Sequence, residues 1–202
     1  GCTSGSLMCV GTSACTGSTS AVKPYYTLDD TELAQITTSA VLLVGGPGCD
    51  QMNVSNVTLS ESVSSVSPQQ FNLVAAKTTS SSIQVNGASQ LQFCSQTSLQ
   101  ARQDISVTLA GILVQPCISS SGSWLTQGST NASLTMIADS DCDLSGSFTV
   151  TGTAAITTAA TSSSPASSIA ISSSQTSISA TSPLTSPTVI SWSTCASQCM
   201  CL

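Results

Sequence analysis

Three aspartates at alternate positions form the segment whose residue types come closest to a metal-binding motif. The run Asp139-Ser-Asp-Cys-Asp143 is followed by Leu-Ser-Gly. Alternate carboxylates can converge on a hard cation such as Ca²⁺, but an EF-hand loop also needs Gly at its sixth position and Glu at its twelfth. Leu144 and Val150 hold those two positions here. We therefore interpret the segment as an acidic turn between two strands and predict no metal, with a calcium loop as the alternative.

The common catalytic systems lack the side chains they require. The chain contains no histidine, which excludes Ser–His and Cys–His nucleophilic systems. Lys23 and Lys77 lie in no recognisable Ser–Lys motif, and the glycine-rich turn at 45–48 lacks the Lys and the helix of a phosphate loop. The acidic residues either cluster in two turn-like segments or are scattered along the chain. We predict that the protein is not an enzyme and uses no cofactor.

Ten cysteines are the most specific feature of the sequence. Zinc sites need closely paired cysteines or cysteine together with histidine, whereas the four cysteines in the middle of the chain lie far apart. An even, dispersed set indicates disulfides and an oxidising compartment. The spacing does not determine which cysteines pair. The residues predicted to form disulfides are Cys2, Cys9, Cys15, Cys49, Cys94, Cys117, Cys142, Cys195, Cys199 and Cys201.

The charge balance excludes several classes of partner. Only three residues are basic, and the net charge is −6. Nucleic-acid binding and electrostatic attachment to a membrane both need clustered Lys and Arg, and no apolar run approaches the length of a membrane span. Charged residues make up 6% of the chain, far below the usual quarter or so. Ser and Thr, about a third of all residues, take their place and leave the surface weakly protected against association.

Three N-glycosylation sequons begin at Asn53, Asn56 and Asn131. In a eukaryotic secreted protein they would mark exposed acceptor positions. Because Ser and Thr are so frequent here, some such triplets are expected by chance. Asn53 and Asn56 also have opposite parity on a strand, so both can face outward only if a bulge lies between them. The sequons therefore predict the side chains of these three asparagines as candidate attachment sites for covalent glycans.

The region from residue 37 to residue 156 is typical of short β-strands separated by turns. Alternation with a period of two, as in 105–109, indicates strands that are buried on one face. The dipeptide Asn86-Gly87 predicts a β-hairpin. The fold predicted from this pattern is all-β, an Ig-like or jelly-roll-type β-sandwich stapled by disulfides. The predicted strands are 37–44, 52–59, 71–75, 82–85, 90–94, 105–114, 133–137 and 147–156.

Three regions differ in composition. Residues 1–22 are predicted to form a Cys-rich N-terminal arm, and residues 23–160 the sandwich with at most one short helix, at 27–36, capped by Thr27. Residues 161–202 form a Ser/Thr-rich segment with a Cys-rich end. Between 161 and 194, 20 of 34 residues are Ser or Thr. This composition fits an O-glycosylated stalk, but the recurring β-branched residues favour strands.

These features together predict an extracellular structural protein, secreted or at the cell surface. Its low charge and Cys-rich ends favour self-association, in which a terminal segment completes the sheet of a neighbouring subunit of a fibre, appendage, wall or coat. The alternative is a monomeric adhesin or carbohydrate-binding module on a Ser/Thr-rich stalk. Neither nucleic acid nor a membrane span is predicted.

Overall fold

A computed structural model describes residues 7–11, 25–36, 41–57, 70–86, 90–93, 96–108, 111–114, 132–158, 167–179, 184–185 and 189–194. These residues form one short helix and seventeen strands that belong to three sheets. Every pairing between the strands is parallel. The protein therefore combines very little helix with three parallel sheets.

The first sheet, sheet A, has seven strands, in the spatial order β15-β12-β9-β6-β4-β1-β2. Their bounds are Leu7–Val10 (β1), Tyr25–Leu28 (β2), Gln51–Val54 (β4), Ser82–Val85 (β6), Ile105–Thr108 (β9), Ser147–Thr151 (β12) and Gln175–Ile178 (β15).

The second sheet, sheet B, has six strands, in the order β17-β14-β11-β8-β5-β3. Their bounds are Val41–Gly46 (β3), Gln70–Ala75 (β5), Gln96–Ala101 (β8), Ala132–Ile137 (β11), Ser167–Ser172 (β14) and Val189–Ser193 (β17). The third sheet, sheet C, has the order β16-β13-β10-β7. Its strands are Gln90–Phe93 (β7), Gly111–Val114 (β10), Ala155–Thr158 (β13) and Leu184–Thr185 (β16).

The chain visits the three sheets in a repeating order. From β6 onward it runs through sheet A, sheet C and sheet B, and then returns to sheet A beside the strand it left one turn earlier. Among the described residues no crossover helix joins these strands, and the arrangement is a parallel β-helix in which each turn of chain stacks on the previous turn. The predicted Ig-like or jelly-roll β-sandwich is therefore wrong, because those folds are built from antiparallel sheets.

The core consists of apolar columns that run from turn to turn. In sheet A the parallel register places Val54, Val85, Val107 and Val150 side by side, and all four are fully buried. Sheet B has matching columns, one of which joins Leu73, Leu99, Met136 and Ile171. The strands that form these columns thus direct alternate residues toward a common interior, and the resulting apolar burial is the main stabilising contribution.

Changes from one sheet to the next divide segments that the sequence suggested were single strands. Within the predicted strand 105–114, β9 belongs to sheet A and β10 to sheet C, and the predicted strand 147–156 is likewise divided between β12 and β13. Between β12 and β13, Gly152 has a φ of +69°, a conformation that favours glycine. The predicted hairpin at Asn86-Gly87 is also wrong, because the strands on either side of it, β6 and β7, belong to different sheets.

The first turns of the β-helix depart from this repeat. Strand β1 is inserted between β2 and β4, although β2 follows it in the chain. The single described helix, α1 (Asp30–Gln35), joins β2 to β3 and so occupies the position that sheet C strands occupy in later turns. Its Leu33 is buried in the common core. The predicted short helix is confirmed, but its N-cap is Asp29, which forms a capping box with Glu32, and not Thr27.

The predicted framework of disulfides also needs correction. The structure describes three cysteines, Cys9, Cys49 and Cys142, and no disulfide joins any two of them. Cys9 and Cys49 are disulfide-bonded and almost completely buried. Within the described residues, disulfides between the sheets are therefore not what holds the fold together. The columns of apolar side chains between turns take that role.

Candidate functional site

The described charged residues lie in two places only. Three of them, Asp29, Asp30 and Glu32, belong to helix α1 and its cap. All the others lie in the turns that lead from sheet B to sheet A, which we call the B-to-A corner: residues 47–50, 76–81, 102–104, 138–146 and 173–174. They are Asp50, Lys77, Arg102, Asp104, Asp139, Asp141 and Asp143. Charge is therefore concentrated along one edge of the β-helix, with five acids against two bases.

Backbone hydrogen bonds join the successive turns of the B-to-A corner. The Lys77 amide donates to the Cys49 carbonyl (3.1 Å), and the Gln103 amide donates to the Ser81 carbonyl (2.9 Å). The Asp139 amide then donates to the Gln103 carbonyl (3.0 Å). The corner therefore continues the hydrogen-bond ladder of the two sheets instead of leaving its backbone groups to solvent.

Asp139 organises the longest turn of the corner. The residue is completely buried. Its Oδ1 accepts from the Asp143 amide (3.0 Å), and its Oδ2 accepts from the Leu144 amide (3.2 Å) and from the Ser174 hydroxyl. A buried carboxylate is tolerated only where such donors surround it. Because Ser174 belongs to the next turn, this one side chain fastens two consecutive turns of the β-helix.

The backbone around Asp139 is unusually constrained. Asp139, Cys142 and Leu144 have φ values of +63°, +56° and +69°, which non-glycine residues seldom adopt. Gly146 packs directly against the backbone and Cβ of Asp139, so that a Cβ at residue 146 would clash with them. Glycine is thus required at this position by a close approach of two chain segments. The strained turn is retained because the buried carboxylate holds it.

The two remaining aspartates of the predicted motif are also engaged. Asp141 forms an ion pair with Arg102, with 2.7 Å between Oδ2 and Nε. Asp143 Oδ1 accepts from the Ser145 amide (2.9 Å) and hydroxyl (2.5 Å). Chiefly because of the hydrogen bond from the Ser145 hydroxyl, the pKa of Asp143 lies below its ordinary value.

These three carboxylates are the described residues that could hold a metal ion. One oxygen from each of Asp139, Asp141 and Asp143 lies within 4.8 Å of the others. Four of their oxygens already accept hydrogen bonds or an ion pair within the protein. The arrangement therefore fits a hydrogen-bonded acidic turn. Its carboxylates hold the backbone conformation of the loop between β11 and β12.

The outward face of sheet A carries an uncharged polar ladder. The parallel register places Asn53, Gln84, Ser106, Thr149 and Ser177 on neighbouring strands. All five are half-buried or exposed. Side chains of this kind donate and accept hydrogen bonds without charge, and adjacent members of the ladder are one strand spacing apart, about 4.8 Å.

The exposed large apolar side chains lie mainly at the two ends of the β-helix. Among the described residues, Tyr26 (38% exposed), Val41 (50%) and Leu43 (54%) lie on β2 and β3, at the N-terminal end. Trp192 (48%) lies on β17, at the opposite end of sheet B. The fifth described residue of this kind is Leu144 (67%), which lies in the B-to-A corner. Exposed apolar surface is thus concentrated on terminal strands.

Two of the three predicted glycosylation sites, Asn53 and Asn56, lie among the described residues. Asn53 alternates with the buried residues Met52 and Val54 and points outward from β4. Asn56 lies beyond the end of that strand, at a φ of +55°, so the parity argument does not apply to it, and its Oδ1 is buried. Asn131 lies outside the described residues, as do Lys23, Glu61, Cys2, Cys15, Cys94, Cys117, Cys195, Cys199 and Cys201.

Sequence reasoning did not identify the B-to-A corner as a unit, because its parts are distant in sequence. The separate signals were present in Asp104, Arg102 and the 139–143 run, but only the stacking of the turns brings them together.

In the described part of the chain, no helix has the length and apolar character that crossing a membrane requires. No protein-family model matches the chain, and neither a characterised protein nor a solved structure shows significant similarity to it.

Proposed function

We propose that the protein is an extracellular structural subunit that associates with copies of itself in a fibre, appendage, wall or coat. The observation that carries this proposal is the distribution of exposed apolar side chains. Of the five among the described residues, four lie on the strands β2, β3 and β17, which end the sheets. Exposed apolar surface on strand edges is the kind of surface that promotes association between chains.

The rest of the described surface supports a mechanical role. The outward ladder of sheet A is uncharged, and the charges of the B-to-A corner are largely paired with one another or with backbone amides. A β-helix also forms a stiff rod, because each turn contacts its neighbours through continuous hydrogen-bond ladders and apolar columns. Rods of this kind suit a load-bearing or covering layer.

The proposal is tested by sedimentation velocity on the native, unreduced protein over a hundredfold range of concentration. We expect the weight-average sedimentation coefficient to rise with concentration and large species to dominate at the highest concentrations. A control sample in mild denaturant, below the unfolding transition, should shift toward the monomer. A single monomeric boundary at every concentration would contradict the proposal.

A second function is favoured by one specific observation, the polar ladder on sheet A. Five consecutive strands present Asn, Gln, Ser, Thr and Ser at the same register position. Such a row fits an adhesin or carbohydrate-binding module that contacts an extended, hydroxyl-rich polymer. However, this ladder contains no aromatic side chain of the kind that usually stacks on a sugar ring. Binding of the monomer to a glycan array, abolished by Gln84→Ala, would favour this alternative.

Glycosylation forms part of the same extracellular proposal. The outward direction of Asn53 supports that position as an acceptor, whereas the backbone of Asn56 and its buried Oδ1 make it a poorer one. Mass spectrometry of protein from its native source, before and after enzymatic removal of N-glycans, tests this. We expect a glycan on Asn53. An unmodified Asn53 would remove this support for the extracellular setting.

A further inference from the structure

We propose that copies of the protein pair side by side through the outward faces of their B sheets, about a two-fold axis parallel to the β-helix axis. This inference rests on the proposed function and names the surface through which copies meet. The pairing uses neither end of the β-helix and leaves both ends free. Sheets that pack face to face in this way lie about 10 Å apart.

The outward face of sheet B is uncharged and partly apolar. None of its six described strands contains a charged residue. Val41 and Leu43 alternate with the buried Val44 and so project outward from β3, where each is about half exposed. Val74 and Ile137 lie on the same face and are half-buried. Pairing of two copies would remove this apolar surface from water, whereas the ladder on sheet A is entirely polar.

A straight row of side chains, which we call the Leu43 row, crosses the face. The parallel register places on successive strands Leu43, Asn72, Ser98, Thr135, Ala170 and Ser191. The last four are small, so the middle of the face is open to a second sheet. The face extends about 24 Å across six strands and 17 Å along them, a footprint below the roughly 800 Å² that each partner contributes to a standard interface. The pairing is therefore reversible and depends on concentration.

The lack of charge favours a second copy as the occupant of this face. A strongly acidic or basic partner finds no opposite charge on sheet B, whereas a second copy brings an equally uncharged and partly apolar surface. A two-fold contact joins the same patch of both copies, so the patch must be complementary to itself. The described acids, which would repel a second copy, lie in the B-to-A corner and at helix α1, outside the strands of sheet B.

The position of the B-to-A corner distinguishes the two possible two-fold arrangements. The corner carries five acids and two bases along one edge of sheet B. A two-fold axis parallel to the β-helix axis reverses the strand direction between copies and places the two corners at opposite edges of the contact. An axis parallel to the strands would place both corners along the same edge, where their net negative charges repel each other.

The arrangement with separated corners also joins the apolar side chains. With the contact centred on the Leu43 row, each strand lies opposite the same strand of the second copy, so Leu43 meets Leu43 of that copy. In the other arrangement the order of strands is reversed and β3 lies opposite β17. Leu43 would then face the hydroxyl of Ser191, with less apolar surface buried. Charge and apolar contact therefore favour the same axis.

The variant Ser98→Lys tests whether this face forms the contact. Ser98 projects outward from β8, in the middle of sheet B and away from both ends of the β-helix. We expect the association constant from sedimentation velocity to fall by about tenfold or more, because like charges then face each other across the contact. Thr108→Lys, also half-buried but on the outward face of sheet A, is the matched control and should associate as the wild type does. Both variants should keep the circular dichroism spectrum and urea midpoint of the wild type.

Two variants of Leu43, which is about half exposed, test the orientation. Leu43→Lys and Leu43→Glu should each associate as weakly as Ser98→Lys does. An equimolar mixture of the two should recover association, because opposite charges then meet across the two-fold axis. A mixture that fails to recover association, or recovery only when Leu43→Lys is mixed with Ser191→Glu, would overturn this inference.

The remaining outcomes separate this inference from the proposed function. Association of Ser98→Lys as strong as that of the wild type would overturn the contact through sheet B while leaving the proposed self-association intact. A wild type that remains monomeric at every concentration would overturn both proposals.

Discussion

The B-to-A corner and the terminal strands of sheet B represent opposite solutions to the same physical problem. Both contain backbone and side-chain groups that the body of a sheet does not satisfy. In the corner, charged side chains and backbone hydrogen bonds satisfy these groups within the chain, as Asp139 does for two amides and a hydroxyl. On β3 and β17 there are no charges, and apolar side chains are exposed.

This difference separates the part of the molecule that fixes its own fold from the part available for a partner. The corner holds neighbouring turns in register, because a buried carboxylate that bonds to two turns allows only one spacing between them. The terminal strands lack any such internal device among the described residues. Substitutions in the corner should therefore change stability and leave association alone, whereas substitutions at the ends should do the reverse.

The largest effect is expected from Asp139→Ala. The change leaves the amides of Asp143 and Leu144 and the hydroxyl of Ser174 without their acceptor in a buried site. Buried donors that lose their acceptor cost about 1–3 kcal/mol, so we expect the free energy of unfolding of the monomer to fall by about 2–4 kcal/mol. Urea denaturation at low concentration measures this.

Asp143→Asn is the matched control for that measurement, because its side chain is exposed and accepts from the neighbouring Ser145. It should leave the urea midpoint nearly unchanged. Equal losses of stability in Asp139→Ala and Asp143→Asn would show that Asp139 has no special role in the corner.

A smaller loss is expected from Gly146→Ala. The added Cβ clashes with the backbone and Cβ of Asp139, and overpacking of this kind costs about 1–3 kcal/mol. Ser145→Ala, which removes an exposed hydroxyl and its hydrogen bond to Asp143 but adds no atom beside Asp139, is the comparison and should cost less. A Gly146→Ala protein as stable as the wild type would mean that the two segments can separate freely.

The ion pair between Arg102 and Asp141 should contribute least to stability. Its side chains are 35% and 20% exposed, and pairs that are partly exposed to solvent contribute about 0–1 kcal/mol. A double-mutant cycle with Arg102→Gln and Asp141→Asn measures the coupling, which should decline further in 1 M salt, where the Debye length is about 3 Å. A coupling that salt does not weaken would contradict this.

The smallest expected effect is a change in the pKa of Asp143. The Ser145 hydroxyl is the main cause of its lowered pKa, so Ser145→Ala should raise that pKa toward the ordinary value of about 3.9. A lowered pKa in the folded state stabilises the protein above the ordinary value, and this contribution is lost as the pH falls through the folded pKa. Carboxyl NMR titration measures the shift, and Ser147→Ala, which affects Asp104 instead, should leave it unchanged.

The positions of many strands, but not their arrangement, could be predicted from the sequence. The alternation in 82–85 marks β6 correctly, since a strand with one buried face has the same pattern in a sandwich and in a β-helix. Nothing in that pattern distinguishes a hairpin from a corner, so the parallel topology was missed. Strand β8 was missed because Thr97 and Ala101, two of its three buried residues, are weakly apolar.

The absence of a regular repeat in the sequence has a structural explanation. The successive strands β6, β9, β12 and β15 of sheet A begin at residues 82, 105, 147 and 175, so the turns of the β-helix have unequal lengths. Part of the difference lies in the loop between β11 and β12, which contains the acidic turn. Its interpretation as a turn between two strands was correct, whereas the buried position of Asp139 had no signal in the sequence.

The central claim is that a parallel β-helix, with exposed apolar side chains on its terminal strands, associates along its own axis. Cryo-electron microscopy of the native, unreduced protein tests this most directly. We expect filaments in which strands about 4.8 Å apart stack along the filament axis, continuously across the junctions between copies. Isolated particles at high concentration, or filaments whose strands run parallel to the axis, would contradict the account.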